Sequence, residues 1–242
     1  DFFCCFLIRG LGVALKILLQ GDAPLVSSGY GQSNRLLVDI FKKLGHEVSI
    51  FAHYGLEGLR PMKIEDVTVY SRARDAYGSD VIDGHFTRSG ADVVITNIDP
   101  FVLNNYGERV FPWVAITPVS GDPLPVQYKN ALKGALDVVA ISKYSQQVLA
   151  DANIQSEHIY LPVDTSFYHP LNRSAARVPY GWNDDTYVIG HVGMNRGTRK
   201  GHDILLRAFQ MFLAEVQNAV LYLHTELKQF DGINIEAIIQ QL

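Results

Sequence analysis

The sequence predicts an α/β chain in which a doubly wound parallel sheet is followed by the start of a second unit of the same kind. Three observations carry this. Short apolar runs (LKILL, EVSIFA, DVVIT, WVAIT and DVVAIS) are each bounded by turn formers or polar residues, the pattern of strands buried on both faces. Stretches of helical spacing lie between most of them, which implies crossover connections rather than tight hairpins. A polar, proline-bearing stretch, PLNRSAARVPYGWNDDT, then interrupts the alternation before it restarts at YVIGHVG.

The first strand is LKILL, stopped by QGDAP, and the loop SSGYGQS follows it. From Gln32 onward Leu36, Leu37, Ile40, Phe41 and Leu44 recur at helical spacing, and Gly45 supplies a left-handed stop. EVSIFA comes two residues later, so strand, glycine loop, helix and strand form a βαβ unit with a right-handed crossover. VTVY, a helix across Ser79–Gly90 and DVVIT continue the series; WVAIT, DVVAIS and HIYLP complete it, with helices expected around Tyr128–Leu136 and Tyr144–Ala152. We read residues 1–14 as an N-terminal extension, 15–170 as the first domain and 171–186 as a linker. Residues 187–242 are then an incomplete second domain. In it, YVIGHVG leads through a basic loop to a helix with Leu205, Ala208, Phe209, Phe212, Leu213 and Val216 on one face, then to AVLYLH and an amphipathic INIEAIIQQL. Two strands cannot bury both faces of such a sheet, so this domain is expected to continue past Leu242.

Composition removes several classes of function. The 242 residues are 48% apolar and 19% charged, a globular balance. Lys and Arg number 21 against 25 Asp and Glu, a net charge of -4 that leaves no basic excess for a nucleic-acid groove. No apolar run approaches the roughly 20 residues that span a bilayer. Cys4 and Cys5 are adjacent, which suits neither a disulfide framework nor a structural zinc site. The opening DFFCCFLIRG has no basic start and no cleavage site after a long apolar core. A cytoplasmic location is expected.

Four groups of residues could carry chemistry. Gly29 and Gly31 follow a buried strand and precede a helix, where backbone amides can meet an oxyanion; a tight turn is the competing reading. The chain has neither GxGxxG nor a GxxxxGK[ST] phosphate loop, which counts against nicotinamide and nucleoside-triphosphate chemistry. Arg196, Arg199 and Lys200 crowd the loop GMNRGTRKGHD, which suits a diphosphate or a solvated turn equally, and Asp203 is placed to cap the next helix. Asp99 and Asp122 each follow a strand by a few residues, on the side of the sheet where ligands bind; both precede a proline, so turn formation explains them too. His53 reads as a packed histidine near a strand end. Asn183-Asp184-Asp185 reads as a surface turn rather than a metal site, and no metal, no bound cofactor and no covalent Ser or Cys nucleophile is expected.

Taken in order, KILLQGDAPLVSSGYGQSNRLLVDIFKKLGHEVSIFAHYGLEG, ADVVITNIDPFVL, DVVAISKYSQQVL, HIYLPVDTSFYHP and GTRKGHDILLRAF resemble glycosyltransferase family 4, the group 1 glycosyltransferases, from about Leu15 to Leu242. PVDTSFYHP and the RKG loop are the most specific parts. The resemblance implies a GT-B fold of two Rossmann-like domains, with the acceptor held mainly by the first and a nucleotide sugar mainly by the second. It implies transfer of a hexosyl-type group from a nucleoside diphosphate sugar to a hydroxyl, with retention of configuration and without a metal. Gly29 and Gly31 then match the glycine loop that approaches the donor phosphates, and Arg199 and Lys200 the basic pair that holds the diphosphate. Tyr30, Asp99 and Asp122 fall on the acceptor side. Two positions depart from the family: Met194 follows Gly193 where an Arg is common, leaving Arg196 as the substitute, and Ser120 stands where an acid is usual, leaving Asp122. The family's pair of donor-binding glutamates would fall beyond Leu242, so this polypeptide by itself is expected to be inactive. The partners implied are a nucleotide sugar and a hydroxyl-bearing acceptor, with no nucleic acid, no transmembrane segment and room for peripheral membrane contact. A non-catalytic module that binds a sugar or nucleotide and regulates a partner is the alternative.

Overall fold

The structure, a computed structural model, describes residues 13–58 and 60–242; the expected extension at residues 1–14 lies almost wholly outside the described residues, with Cys4 and Cys5. The chain folds as two compact units, one ending at Tyr168 and the other spanning His169–Leu242. No helix among the described residues is long and apolar enough to cross a membrane.

In the first unit, strands β1 (Lys16–Asp22), β2 (Glu47–Tyr54), β3 (Met62–Ile64), β4 (Val67–Ser71), β5 (Val93–Asn97), β6 (Trp113–Thr117), β7 (Asp137–Ala140) and β8 (Glu157–His158) make one sheet. Their order is β3-β4-β2-β1-β5-β6-β7-β8, parallel throughout except between β3 and β4. Helices α1 (Gly29–Lys43), α2 (Ile82–Ser89), α3 (Val126–Ala131) and α4 (Lys143–Asp151) follow β1, β4, β6 and β7. Chain order runs outward from β1 through β2 to β4, then returns to place β5 on the other flank of β1. The reversal between β1 and β5 is where a doubly wound sheet opens a crevice at the carboxyl ends of its strands.

The apolar runs become central strands because both of their faces are covered. Leu18, Val94, Trp113 and Ala115 point into one cluster with Ile82, Tyr106 and Leu149, while Ile17, Leu19, Val93, Ile95, Val114 and Ile116 point into the other with Leu37, Val38 and Phe41 of α1. Two of the buried polar side chains in these layers are paired. Gln20 is fully buried, donating to Tyr77 O (2.9 Å) and accepting from Tyr106 OH (2.7 Å), and Trp113 Nε1 donates to Thr96 Oγ1 (2.9 Å). HIYLP yields only the two-residue β8, although Ile159 N still donates to Ala140 O. Pro162, without an N–H, cannot extend the ladder. Edge strand β3 has three residues, too few to show a period.

In the second unit, β9 (Tyr187–Val192) and β10 (Ala219–His224) pair in parallel, joined through α6 (His202–Leu213), and α7 (Ile235–Gln241) follows. Within 171–186 the chain forms α5 (Arg173–Arg177) and a 3-10 turn at Val178–Tyr180. Arg177 Nη1 donates to Asn183 O (2.6 Å) and Thr186 O (2.8 Å), and Tyr180 stacks on Trp182 with Tyr222 edge-on to both. On α6, His202 and Leu206 are the buried residues, whereas Ala208 of the expected face is exposed, because two strands cover only part of the helix.

Candidate functional site

The first cluster of functional side chains lies at the reversal point, where β1 and β5 end. Asn34, in the second turn of α1, is fully buried and donates to Asp22 O (2.8 Å). Asn97, the last residue of β5, donates to Asn34 Oδ1 (2.8 Å) and Ser33 Oγ (2.6 Å). Gly21 makes room for this knot, since a Cβ there would sit 2.3 Å from Asn34 Nδ2. The amides therefore lock the start of α1 onto the strand ends.

Sequence spacing starts the helix near Gln32; the structure starts it at Gly29. The difference comes from Ser28, which caps α1 by accepting from Gly31 N at 2.9 Å, drawing Gly29, Tyr30 and Gly31 into the first helical turn. The expected glycine loop is thus a helix start, and the Gly31 amide is occupied. A Cβ on Gly31 would meet Val26 O at 2.3 Å and Ala23 O at 2.9 Å, whereas one on Gly29 would meet nothing within 4 Å. Gly31 is a close-packing residue, and Gly29 is open.

Ser28 Oγ also donates to Asp22 Oδ2 (2.5 Å), and the other oxygen of Asp22 lies 3.3 Å from His53 Nε2. Burial lowers the His53 pKa, with Asp22 opposing the shift and Arg72 adding to it. Because the folded-state pKa falls below the unfolded value, the unfolded chain binds the extra proton first. The neutral form's stability is complete above about pH 6.5 and is lost as pH drops below it. His85 and His202 are lowered for the same leading reason. His53→Gln should therefore flatten, without abolishing, the decline of stability between pH 7 and 5 in urea unfolding; an unchanged slope would remove His53 from this linkage.

Asp99 collects two phenols: Tyr128 OH donates to Oδ1 at 2.9 Å and Tyr30 OH to Oδ2 at 3.3 Å. Burial and then Asp99 hold the Tyr30 phenol far above its ordinary pKa, and burial with the Asp99 hydrogen bond pushes Tyr128 up to about 12. Both are donors at any physiological pH. Phe101, half exposed, packs 5.1 Å from the Tyr128 ring. Tyr30 and Asp99 thus come together as one group, and α3 adds Tyr128. Asp122 is exposed, and among the described residues its carboxylate has no hydrogen bond or ion pair, so nothing ties it to this cluster.

The basic loop of the second unit runs from Gly193 to Gly201 and is braced by Asn195. That residue is fully buried, donating to Glu226 O (3.0 Å) and Ile233 O (2.7 Å) and accepting from Ile233 N (3.0 Å). Arg196 is engaged by Asp231 at 3.0 Å. Arg199 and Lys200 are exposed, and among the described residues neither has an ion pair. Asp203 does not cap α6: Gly201 is the N-cap, and Asp203 sits inside the first turn, where a carboxylate complements the helix dipole. Sequence reasoning passed over Asp22, Ser28, Asn97, Tyr128 and Asn195. Asp22 and Asn97 carried the one available signal, a polar residue closing an apolar run.

No protein-family model and no curated protein sequence matches the chain. Among solved structures it is similar to an α,α-trehalose-phosphate synthase (UDP-forming) from Burkholderia vietnamiensis, at 10% identity and a TM-score of 0.56, covering 95% of this chain and 68% of that one. It is also similar to OtsA in its apo form (11%, TM-score 0.59, 94% and 69%) and to S. aureus MnaA with UDP (12%, TM-score 0.52, 94% and 66%). The chain therefore spans about two thirds of the length of these structures. At such identity the likeness establishes the fold: mixed α/β with a large, mainly parallel sheet, of the GT-B type.

Proposed function

We propose that this protein binds a nucleoside diphosphate sugar, with UDP the favoured nucleotide, and serves transfer of the sugar to an acceptor hydroxyl with retention of configuration and no metal. The observation that carries the reading is the pair Arg199 and Lys200: two cations without ion pairs among the described residues, on a loop held by the buried Asn195 ahead of α6. Cations carried on such a loop suit a diphosphate, and the N-terminal dipole of α6 adds to their field. Charge grows on the diphosphate as the sugar leaves, so donors already in place stabilise departure more than binding. Two of the solved structures carry UDP in their descriptions, which supports the choice of nucleotide.

On the first unit, the acceptor is assigned to the surface around Tyr30 and Asp99, extended by Tyr128. Asp99 keeps lone pairs beyond those used by the two phenols and can accept from a sugar hydroxyl. The exposed ring of Phe101 offers an apolar platform beside it. Gly29 leaves open space at the start of α1, and Gly31 keeps that helix start pressed onto its loop.

The test is calorimetric titration with UDP and a panel of nucleotide sugars, with and without EDTA, followed by measurement of nucleoside diphosphate release and of the product's anomeric configuration. Binding that survives EDTA supports the reading. Release is measured on a form that carries the expected glutamate pair, and binding there without release under any acceptor favours a non-catalytic nucleotide-sugar module. No binding at millimolar ligand overturns both.

A further inference from the structure

A pocket lies at the carboxyl ends of β2 and β4, with a volume of about 380 Å3 and walls of Glu57, Gly58, Arg72, Ala73 and Arg74. Its position follows from strand register. Ala52 of β2 pairs with Ser71, the last residue of β4, so Arg72 leaves the sheet while β2 continues through His53 to Tyr54. Arg72 N donates to Ala52 O at 3.3 Å, and the Arg72 charge is felt at the His53 ring. The pocket lies at the same end of the sheet as the Asp22–His53 pair and Asp99.

The charges in this pocket do not balance. Arg72 reaches Glu57 at 3.3 Å, but the Glu57 side chain is 84% exposed, and an ion pair at such a rim exchanges with little loss. The backbone N–H of Arg74 is held by Asp80 Oδ2 at 3.0 Å, while its guanidinium has no ion pair among the described residues. The lining thus carries two guanidinium groups and one solvated carboxylate, with the Asp80 carboxylate at its edge on the Arg74 backbone. Guanidinium presents a planar fork of donors that fits the paired oxygens of a phosphate or carboxylate.

We propose that the Arg72–Arg74 pocket binds an oxyanion, a phosphate or carboxylate, carried by the acceptor. This rests on the assignment of the acceptor to the first unit. An anionic tail held there would orient the acceptor on the sheet end that carries Asp99, and it would make the protein selective for charged acceptors over neutral ones.

The probe is inorganic phosphate, with acetate in a parallel titration at constant ionic strength. Side-chain NMR signals of Arg72, Arg74 and His53 report this pocket separately from the second unit's basic loop. Phosphate or acetate should shift those signals saturably. Arg74→Gln, at an exposed position, and Arg72→Gln should each weaken that response about tenfold, the loss of one charge-assisted contact. Arg72→Lys should recover only part of it. Saturable shifts with phosphate, with acetate or with both support the proposal and identify the anion. Signals that do not move, or that move in both Gln variants as they do in the parent, overturn it. UDP binding is measured on the same samples: if it persists while the pocket stays silent, the pocket alone is refuted, and if it too is absent, the functional reading falls first.

Discussion

UDP affinity should fall by about hundredfold or more when Arg199 and Lys200 are both replaced with alanine, and by much less when Arg196 is. Each charge-assisted hydrogen bond contributes about 1.5–3 kcal/mol, so two lost contacts span roughly two to four decades. Both side chains are exposed, and salt screening places the expected result at the lower end. Arg196 begins in an ion pair with Asp231, and whatever it gives a diphosphate is offset by leaving that carboxylate. Its replacement should change affinity by less than about threefold, a value within ordinary surface effects. Calorimetry at low and moderate salt on the three proteins makes the comparison. Equal affinity in the double variant and the parent would mean that these cations serve solubility alone.

Gly31→Val should destabilise the first unit by at least about 1–3 kcal/mol, the usual cost of forcing a side chain into a packed site. Here the atoms that must yield are backbone carbonyls of the loop that supports Ser28, namely Val26 O at 2.3 Å and Ala23 O at 2.9 Å from the new Cβ. Carbonyls of a tight loop move only with the loop. The Ser28 cap on Gly31 N and its bond to Asp22 should loosen together, so the variant should also perturb His53. Gly29→Ala is the matched control. It lies two residues away in the same helical turn with no atom within 4 Å of its Cβ, and it should be neutral or stabilising by up to about 1 kcal/mol through loss of unfolded-state freedom. Urea unfolding of both variants decides the matter: similar midpoints would show that the loop relaxes freely.

These two glycines also mark how far a sequence reading can go. In the string SSGYGQS they look equivalent, yet one packs on carbonyls and the other faces open space. The expected loop turned out to be a first helical turn because glycine's low helix propensity was outweighed by a serine cap. Asp99 was legible as a ligand-side candidate from its position after a strand, and Tyr30 only through the family resemblance of its loop. Tyr128, which completes their cluster, was not, since its contact with Asp99 depends on α3 folding back over the end of β5.

The sequence by itself determined the alternation of strands and helices, because burial on both faces of a sheet writes itself as unbroken apolar runs, and helical burial as a stripe of period 3.6. It also determined which residue types were available for anion and hydroxyl chemistry. Only the tertiary structure decided which of them meet. Strand order brought β5 beside β1 and so placed Asn97 against Asn34, 63 positions away, and register set Arg72 against Ala52 O, one residue before His53. Likewise the return of the chain after β10 gave Arg196 to Asp231, 35 positions on, while Arg199 and Lys200 kept no partner among the described residues. Such contacts depend on strand order and register, which local periodicity does not encode.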